Sequence, residues 1–174
     1  MRIHGVRLIE IPPNLDHRGS LSTVHRDTQA GPFAQWNCIR SDANVLRGLH
    51  AHRDYDELYV PIRGRMFLLL KDARSSSPSS GAEIGFWSEE IEDKSIFVPS
   101  GVAHGVYFAT DGILLYGLSR IWTGAGELEC RWDDAEISTR WPARDPILSD
   151  KDTAAGSFAA MVTALERSPE PADA

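Results

Sequence analysis

Arg47-Gly48-Leu49-His50-Ala51-His52, followed by Glu57 and Gly64, is the part of this sequence richest in side chains that can do chemistry. Two histidines two residues apart fall on the same face of an extended strand. Glu57 opens the next apolar run, Leu58 to Ile62, and Pro99-Ser100-Gly101-Val102-Ala103-His104 adds a third imidazole after a turn. Three imidazoles and a carboxylate at these spacings can converge inside a small β-barrel. There they would form either an acid–base device or a metal centre, because burying such groups is costly unless they are paired or hold an ion. His4, His17 and His25 have no comparable neighbours in the sequence and read as ordinary histidines.

The elements that must position these groups are short extended runs separated by turns. Strands are expected at Val6–Glu10, Ser20–His25, Ala34–Ser41, Leu46–His52, Leu58–Ile62, Met66–Leu70, Glu83–Trp87, Ser95–Val98, Val106–Ala109 and Ile113–Ser119. Gly- or Pro-containing turns lie at 16–19, 63–65, 99–101 and 110–112. This rhythm points to an all-β sandwich or closed barrel. One helix is expected in Gly156–Arg167, where Phe158, Met161, Val162 and Leu165 recur at spacings of three and four. The serine-rich stretch 75–81 reads as a mobile surface loop, and 168–174 as a disordered tail after a single domain over 1–167.

Composition narrows the partners. The 174 residues carry 18 Lys and Arg against 25 Asp and Glu, a formal net charge of −7, which argues against nucleic acid or an anionic membrane as partner. The first residues lack the apolar core of a signal peptide, and no run approaches membrane-spanning length. Cys38 and Cys130 make no disulfide framework and read as reduced thiols of a soluble, cytoplasmic protein.

The pattern Gly48…His50-x-His52-x4-Glu57-x6-Gly64, then Pro99-x-Gly101-x2-His104, resembles the two signature motifs of the cupin superfamily, a family of β-barrels of jelly-roll type. That resemblance implies His50, His52, Glu57 and His104 as ligands of one divalent ion, with Mn, Fe, Co, Ni and Zn all suited to such donors. Phe108 stands where an asparagine usually closes the second motif.

A longer resemblance covers residues 2 to 165. It rests on Asp16-His17-Arg18-Gly19, Gln35-Trp36-Asn37, Leu46-Arg47-Gly48-Leu49-His50, Pro99-x-Gly101-x-Ala103-His104-Gly105, Leu115-Tyr116, Trp132-Asp133-Asp134, Trp141-Pro142 and residues 147–152. Through these the chain resembles the deoxysugar epimerases typified by dTDP-4-dehydrorhamnose 3,5-epimerase, themselves of cupin fold. The resemblance implies His50 as general base, Asp152 as the carboxylate that orients it, and Tyr116 as the acid returning a proton from the opposite face. It further implies Arg18 and Arg47 on the nucleotide diphosphate or sugar, with Gln35, Asn37 and His104 lining the pocket. The expected substrate is a nucleotide-linked 4-keto-6-deoxysugar, and the expected assembly a homodimer whose amino-terminal strands reach the partner subunit.

Several positions depart from the family. Glu57 replaces a lysine that steadies the enolate, and His52 replaces a glutamine. A carboxylate about 5 Å from an enolate oxygen, at an effective dielectric of about 20, is repulsive by about 3 kcal/mol. A divalent ion held there would reverse the sign. Leu21 and Thr23 stand where aromatic and acidic residues approach the nucleotide base, and Trp122 stands for a tyrosine. The His50-Ala51-His52 pair also resembles the sugar-nucleotide 3,4-ketoisomerases. The alternatives are therefore a metal-dependent cupin enzyme, such as a ketoisomerase or dioxygenase, and a non-catalytic sugar-binding cupin.

Overall fold

A computed structural model describes residues 2–124 and 126–167. Twelve strands follow one another: β1 (Arg7–Glu10), β2 (Pro13–Asp16), β3 (Gly19–Ser22), β4 (Gln35–Ser41), β5 (Val45–His52) and β6 (Glu57–Arg63). Then come β7 (Met66–Asp72), β8 (Glu83–Trp87), β9 (Lys94–Val98), β10 (Val102–Phe108), β11 (Gly112–Leu118) and β12 (Glu127–Glu129). Helices are few and short: α1 (Asp27–Ala30), α2 (Asp150–Thr153) and α3 (Phe158–Glu166), with a single 3-10 turn at Ser88–Ile91. Among the described residues no helix is long and apolar enough to cross a membrane.

Two five-stranded sheets face each other. The first runs β1-β9-β6-β11-β4, the second β12-β5-β10-β7-β8, and β2-β3 forms a separate hairpin. All named pairings are antiparallel, as expected of a jelly roll.

Strand β7 shows how the sequence makes the layers. It is apolar from Met66 to Leu70 because both of its faces are covered. Met66, Leu68 and Leu70 enter the cluster between the sheets with Val102, Val106, Phe108 and Leu114. Phe67 and Leu69 enter a second cluster outside the second sheet with Leu46, Leu49, Phe158 and Met161. A strand buried on both faces loses the usual apolar–polar alternation. The carboxy-terminal segment provides the outer cover, and α3 lays Phe158 and Met161 onto it, capped by Ser157, whose hydroxyl accepts from the Ala160 amide at 3.2 Å.

Several boundaries differ from those expected. Strand β7 continues through Lys71 and Asp72 because both charges are paired in place: Lys71 Nζ lies 3.0 Å from Glu83 Oε2, and Arg74 Nε 2.7 Å from Asp72 Oδ1. Strand β10 begins at Val102, not Val106, so His104 is a strand residue. The serine-rich stretch is held rather than loose, since the Ser77 and Ser79 hydroxyls each donate to Asp72 Oδ2 at 2.6 Å. The expected tail at 168–174 lies outside the described residues.

Candidate active site

A cavity of about 290 Å³ opens between the two sheets. The second sheet supplies Arg47, His50 and His52 from β5, His104 from β10 and Glu127 from β12. The first sheet supplies Glu57 and Tyr59 from β6 and Tyr116 from β11. Ser149, Lys151 and Asp152 close one side from the start of α2. A smaller adjoining cavity of about 190 Å³ shares His52, Glu57, Tyr116 and Glu127 and adds Gln35, Asn37, Tyr55 and Trp122.

Arg47 and His50 share this cavity despite an odd spacing, and a bulge explains how. His104 pairs with His50, but Val106 pairs with Arg47, so three steps on β5 match two on β10. The extra residue shifts the phase of the strand. Arg47, His50 and His52 therefore face the cavity, while Leu46, Leu49 and Ala51 face the outer cluster. Gly48 makes the bulge possible. Its φ is +117°, and a Cβ there would lie 2.7 Å from both Gly105 Cα and the His104 carbonyl oxygen.

His50 is held from one side by Asp152, whose Oδ1 lies 2.7 Å from Nε2. Asp152 is itself fixed: the Ser149 hydroxyl donates to its Oδ2 at 2.8 Å and accepts from its amide at 3.1 Å, capping α2. Burial would raise the Asp152 carboxyl, but hydrogen bonds and charge from His50, then Ser149 and the Gly48 amide, outweigh it and hold it below the ordinary value. An ionised Asp152 accepts Nε2–H, which leaves the lone pair of the neutral imidazole on Nδ1. On that side Glu127 Oε1 lies at 3.5 Å. Glu127 is in turn paired with Lys151, whose Nζ also meets Glu129 Oε1 at 2.7 Å.

A second group of polar side chains surrounds Glu57. His104 Nε2 lies 2.9 Å from Glu57 Oε2 and His52 Nε2 3.3 Å from Glu57 Oε1. The Tyr59 hydroxyl donates to Oε2 at 2.6 Å. Burial pushes the Glu57 carboxyl up, but the two imidazoles reverse this and hold it well below the usual range. One donor atom each from His52, Glu57 and His104 lie within 4.8 Å of one another. His50 is not in this group, because Asp152 engages its Nε2. Of the four residues expected as ligands, the structure thus brings three together.

Tyr116 stands on the opposite sheet from His50 and stacks on Tyr59 with ring centroids 5.8 Å apart. Burial, then the charge of Glu57, raises its phenol above the ordinary value, so it enters any reaction protonated. Gln35 Nε2 donates to Asn37 Oδ1 at 3.0 Å, and Gln35 Oε1 accepts the Trp122 amide at 3.0 Å.

Arg18 is the expected residue that this chain does not bring to the cavity. It sits 78% exposed at the tip of the β2–β3 hairpin, paired with Asp16 at 2.5 Å. Conversely, Glu127, Lys151, Tyr55 and Tyr59 line the site without having been singled out from the sequence. For Glu127 a signal exists: Glu127-Leu128-Glu129 alternates, with Leu128 packed on the outer cluster and both glutamates turned the other way.

The sequence and the fold have known counterparts. A family model described as dTDP-4-dehydrorhamnose 3,5-epimerase matches residues 1–160. The chain belongs to that family. The enzyme of that name from Shigella flexneri is 32% identical over 124 residues, covering 69% of this chain and 68% of its own. The Pseudomonas aeruginosa enzyme is 33% identical over 131 residues, covering 73% and 72%. Among solved structures, an epimerase from Mycobacterium tuberculosis superposes with a TM-score of 0.85 at 27% identity, over 95% of this chain and 90% of that one. The Legionella pneumophila enzyme, solved with dTDP-4-keto-L-rhamnose, gives 0.83 at 26% identity over 95% and 94%. Membership of the family makes the protein an isomerase of epimerase type on a cupin-type jelly roll.

Proposed function

We propose that the protein epimerises a nucleotide-linked 4-keto-6-deoxysugar by removing a proton beside the carbonyl and returning one from the other face. The observation that carries this is His50 on one sheet, oriented by Asp152 of α2, facing the protonated Tyr116 of the other sheet across one cavity. A carbon next to a ketone is acidic enough for an imidazole to deprotonate when the base is placed and oriented. His50 takes the proton on Nδ1, and Asp152, with Glu127 beside it, stabilises the imidazolium that forms. Tyr116 then donates its phenolic proton to the opposite face. Arg47 lines the cavity, and among the described residues only its Nε is engaged, by Ser41 Oγ at 3.2 Å, which leaves its other donors suited to a phosphate oxygen. Gln35, Asn37 and His104 contact the sugar.

We further propose that the protein is a homodimer acting in the cytoplasm, as one domain over residues 1–167. The β2–β3 hairpin supports the dimer: it belongs to neither main sheet, and Leu15 and Leu21 are 77% and 68% exposed on it. A lone two-stranded ribbon is marginal in water, and docking on a second copy would cover these leucines. Such docking would carry Arg18 toward the partner's cavity.

A second reading, a metal-dependent cupin enzyme of ketoisomerase or dioxygenase type, is favoured by the His52–Glu57–His104 cluster. Its two imidazoles and one carboxylate fit Mn, Fe, Co, Ni or Zn. An epimerase and a dioxygenase part on substrate protons, whereas a ketoisomerase also enolises its substrate and is told apart by a product whose carbonyl has moved to the neighbouring carbon. Incubation of a dTDP-4-keto-6-deoxysugar with the enzyme in deuterium oxide, followed by NMR, is expected to show exchange at a carbon beside the keto group, abolished in His50→Ala. Turnover without exchange would overturn the epimerase reading.

A further inference from the structure

Each inversion leaves the two catalytic residues in the wrong protonation states. His50 has gained a proton on Nδ1 and Tyr116 has lost one. Neither can act again until a proton leaves the imidazole and another reaches the phenolate.

The surroundings of His50 offer an exit. Its Nε2 is closed by Asp152 Oδ1 at 2.7 Å, while Nδ1 faces Glu127 Oε1 at 3.5 Å. Contacts between catalytic groups are often this long in a free enzyme and tighten in the substrate complex. Glu127 reaches both catalytic residues, because it lines the main cavity with His50 and the adjoining one with Tyr116. Glu57 also lines both, but its oxygens are taken by His52, His104 and Tyr59. Lys151 engages the Oε2 of Glu127, which leaves Oε1 for the imidazole. The Glu127 side chain is 16% exposed and that of Lys151 47%, so the pair leads from the ring toward the surface. Burial would raise the Glu127 carboxyl, but Lys151, then His50, hold it below its ordinary value. A carboxyl so held keeps a proton only in passing and sheds it to water.

We propose that Glu127 is the proton relay that resets the site between turnovers, taking the proton from His50 Nδ1 and passing it to solvent. The N–H bond of the imidazolium breaks as an O–H bond forms on Glu127, and water then takes that proton. The Tyr116 phenolate regains its own proton from solvent through the adjoining cavity. The relay rests on the epimerase reading, since only a site that uses a base and an acid on opposite faces needs resetting.

The test separates the first turnover from later ones. Rates on a dTDP-4-keto-6-deoxysugar are measured with enzyme in excess and in the steady state, for wild type, Glu127→Gln and Glu129→Gln, with added formate or nitrate. Glu127→Gln should lose about 10-fold or more in kcat and distinctly less in the first turnover, which needs no reset. Its kcat should rise with formate, a small carboxylate that can carry the proton, but not with nitrate, a planar anion that cannot. Glu129→Gln removes a contact of Lys151 without touching His50, and it should behave as wild type, indifferent to both anions. Equal loss in the first turnover and in kcat would overturn the relay, and so would a kcat within threefold of wild type. Recovery no greater in formate than in nitrate would leave Glu127 acting by charge or packing alone and also overturn it. Wild type that turns over without exchanging substrate protons in deuterium oxide would overturn the epimerase reading instead.

Discussion

Asp152 Oδ1 lies 2.7 Å from His50 Nε2, although the two residues are 102 positions apart in the chain. The contact joins a strand of the second sheet to a four-residue helix, and it decides which nitrogen of His50 carries the lone pair. Replacing Asp152 by asparagine keeps the volume but offers an amide that stabilises either tautomer and no longer stabilises an imidazolium. We expect Asp152→Asn to lower kcat by about 10²–10⁴-fold with little change in KM. Steady-state kinetics on the 4-keto sugar check this, and a kcat within threefold of wild type would remove Asp152 from the mechanism.

Tyr116 and His50 act on opposite faces, so their variants should fail differently. Tyr116→Phe removes the donor but leaves the base in place. Deuterium should still wash into the starting sugar from solvent, while net inversion falls by about 10²-fold or more. Equal loss of wash-in and inversion would show that Tyr116 does something other than reprotonate.

The chemistry was legible in the sequence in different degrees. His50 and His52 could be placed on one face from their spacing alone, and Glu57 at the head of the next strand. Arg47 could not, because the bulge at Gly48 breaks the period of two, and only the family resemblance put it in the pocket. Strand β12 is three residues long and β2 consists of Pro, Asn, Leu and Asp, so neither presents an apolar pattern to find. The α3 helix was found because four apolar residues mark its face. The four residues of α2 are too few for any periodicity, and Lys71, which the expected strand Met66–Leu70 leaves out, is buried in β7 only because Glu83 and the Glu136 carbonyl receive its ammonium.

Gly48 is where backbone geometry and catalysis meet. Gly48→Ala places a methyl group against the backbone of His104 and Gly105 at a φ that side chains rarely adopt. The expected cost is about 2–4 kcal/mol. Because the same bulge sets the aim of His50, activity should fall further than the loss of folded protein explains. Urea unfolding alongside kcat tests both, and a variant with normal stability and rate would mean that β5 can straighten without harm.

The loop at 75–81 should show its structure through acid. Burial works to raise the Asp72 carboxyl, yet hydrogen bonds from Arg74, Ser77 and Ser79 bring it down to about 2. A carboxyl lowered from its ordinary value of 3.8 contributes stability that is fully present above that value and lost as pH falls toward about 2. Its size is about 2 kcal/mol. Asp72→Asn should be less stable at neutral pH by about that amount, and the gap should narrow below pH of roughly 4. Parallel denaturation curves across this range would refute the assignment.

The position of Arg18 turns the dimer into a question about catalysis. In its own chain it lies at the exposed tip of a hairpin that contributes nothing to the cavity. If a second copy receives that hairpin, each site is built from two chains, and two defects on different chains can be sorted apart. Arg18→Ala should raise KM, and His50→Ala should be inactive. Refolded together in equal amounts, half the dimers would be mixed, each with one site that has both an intact His50 and a partner's intact Arg18. Wild-type-like KM should reappear at about a quarter of wild-type kcat per total sites. Mixing that yields only the KM of Arg18→Ala would show that Arg18 acts within its own chain or not at all, and sedimentation of Leu21→Asp would then tell whether the hairpin holds a dimer.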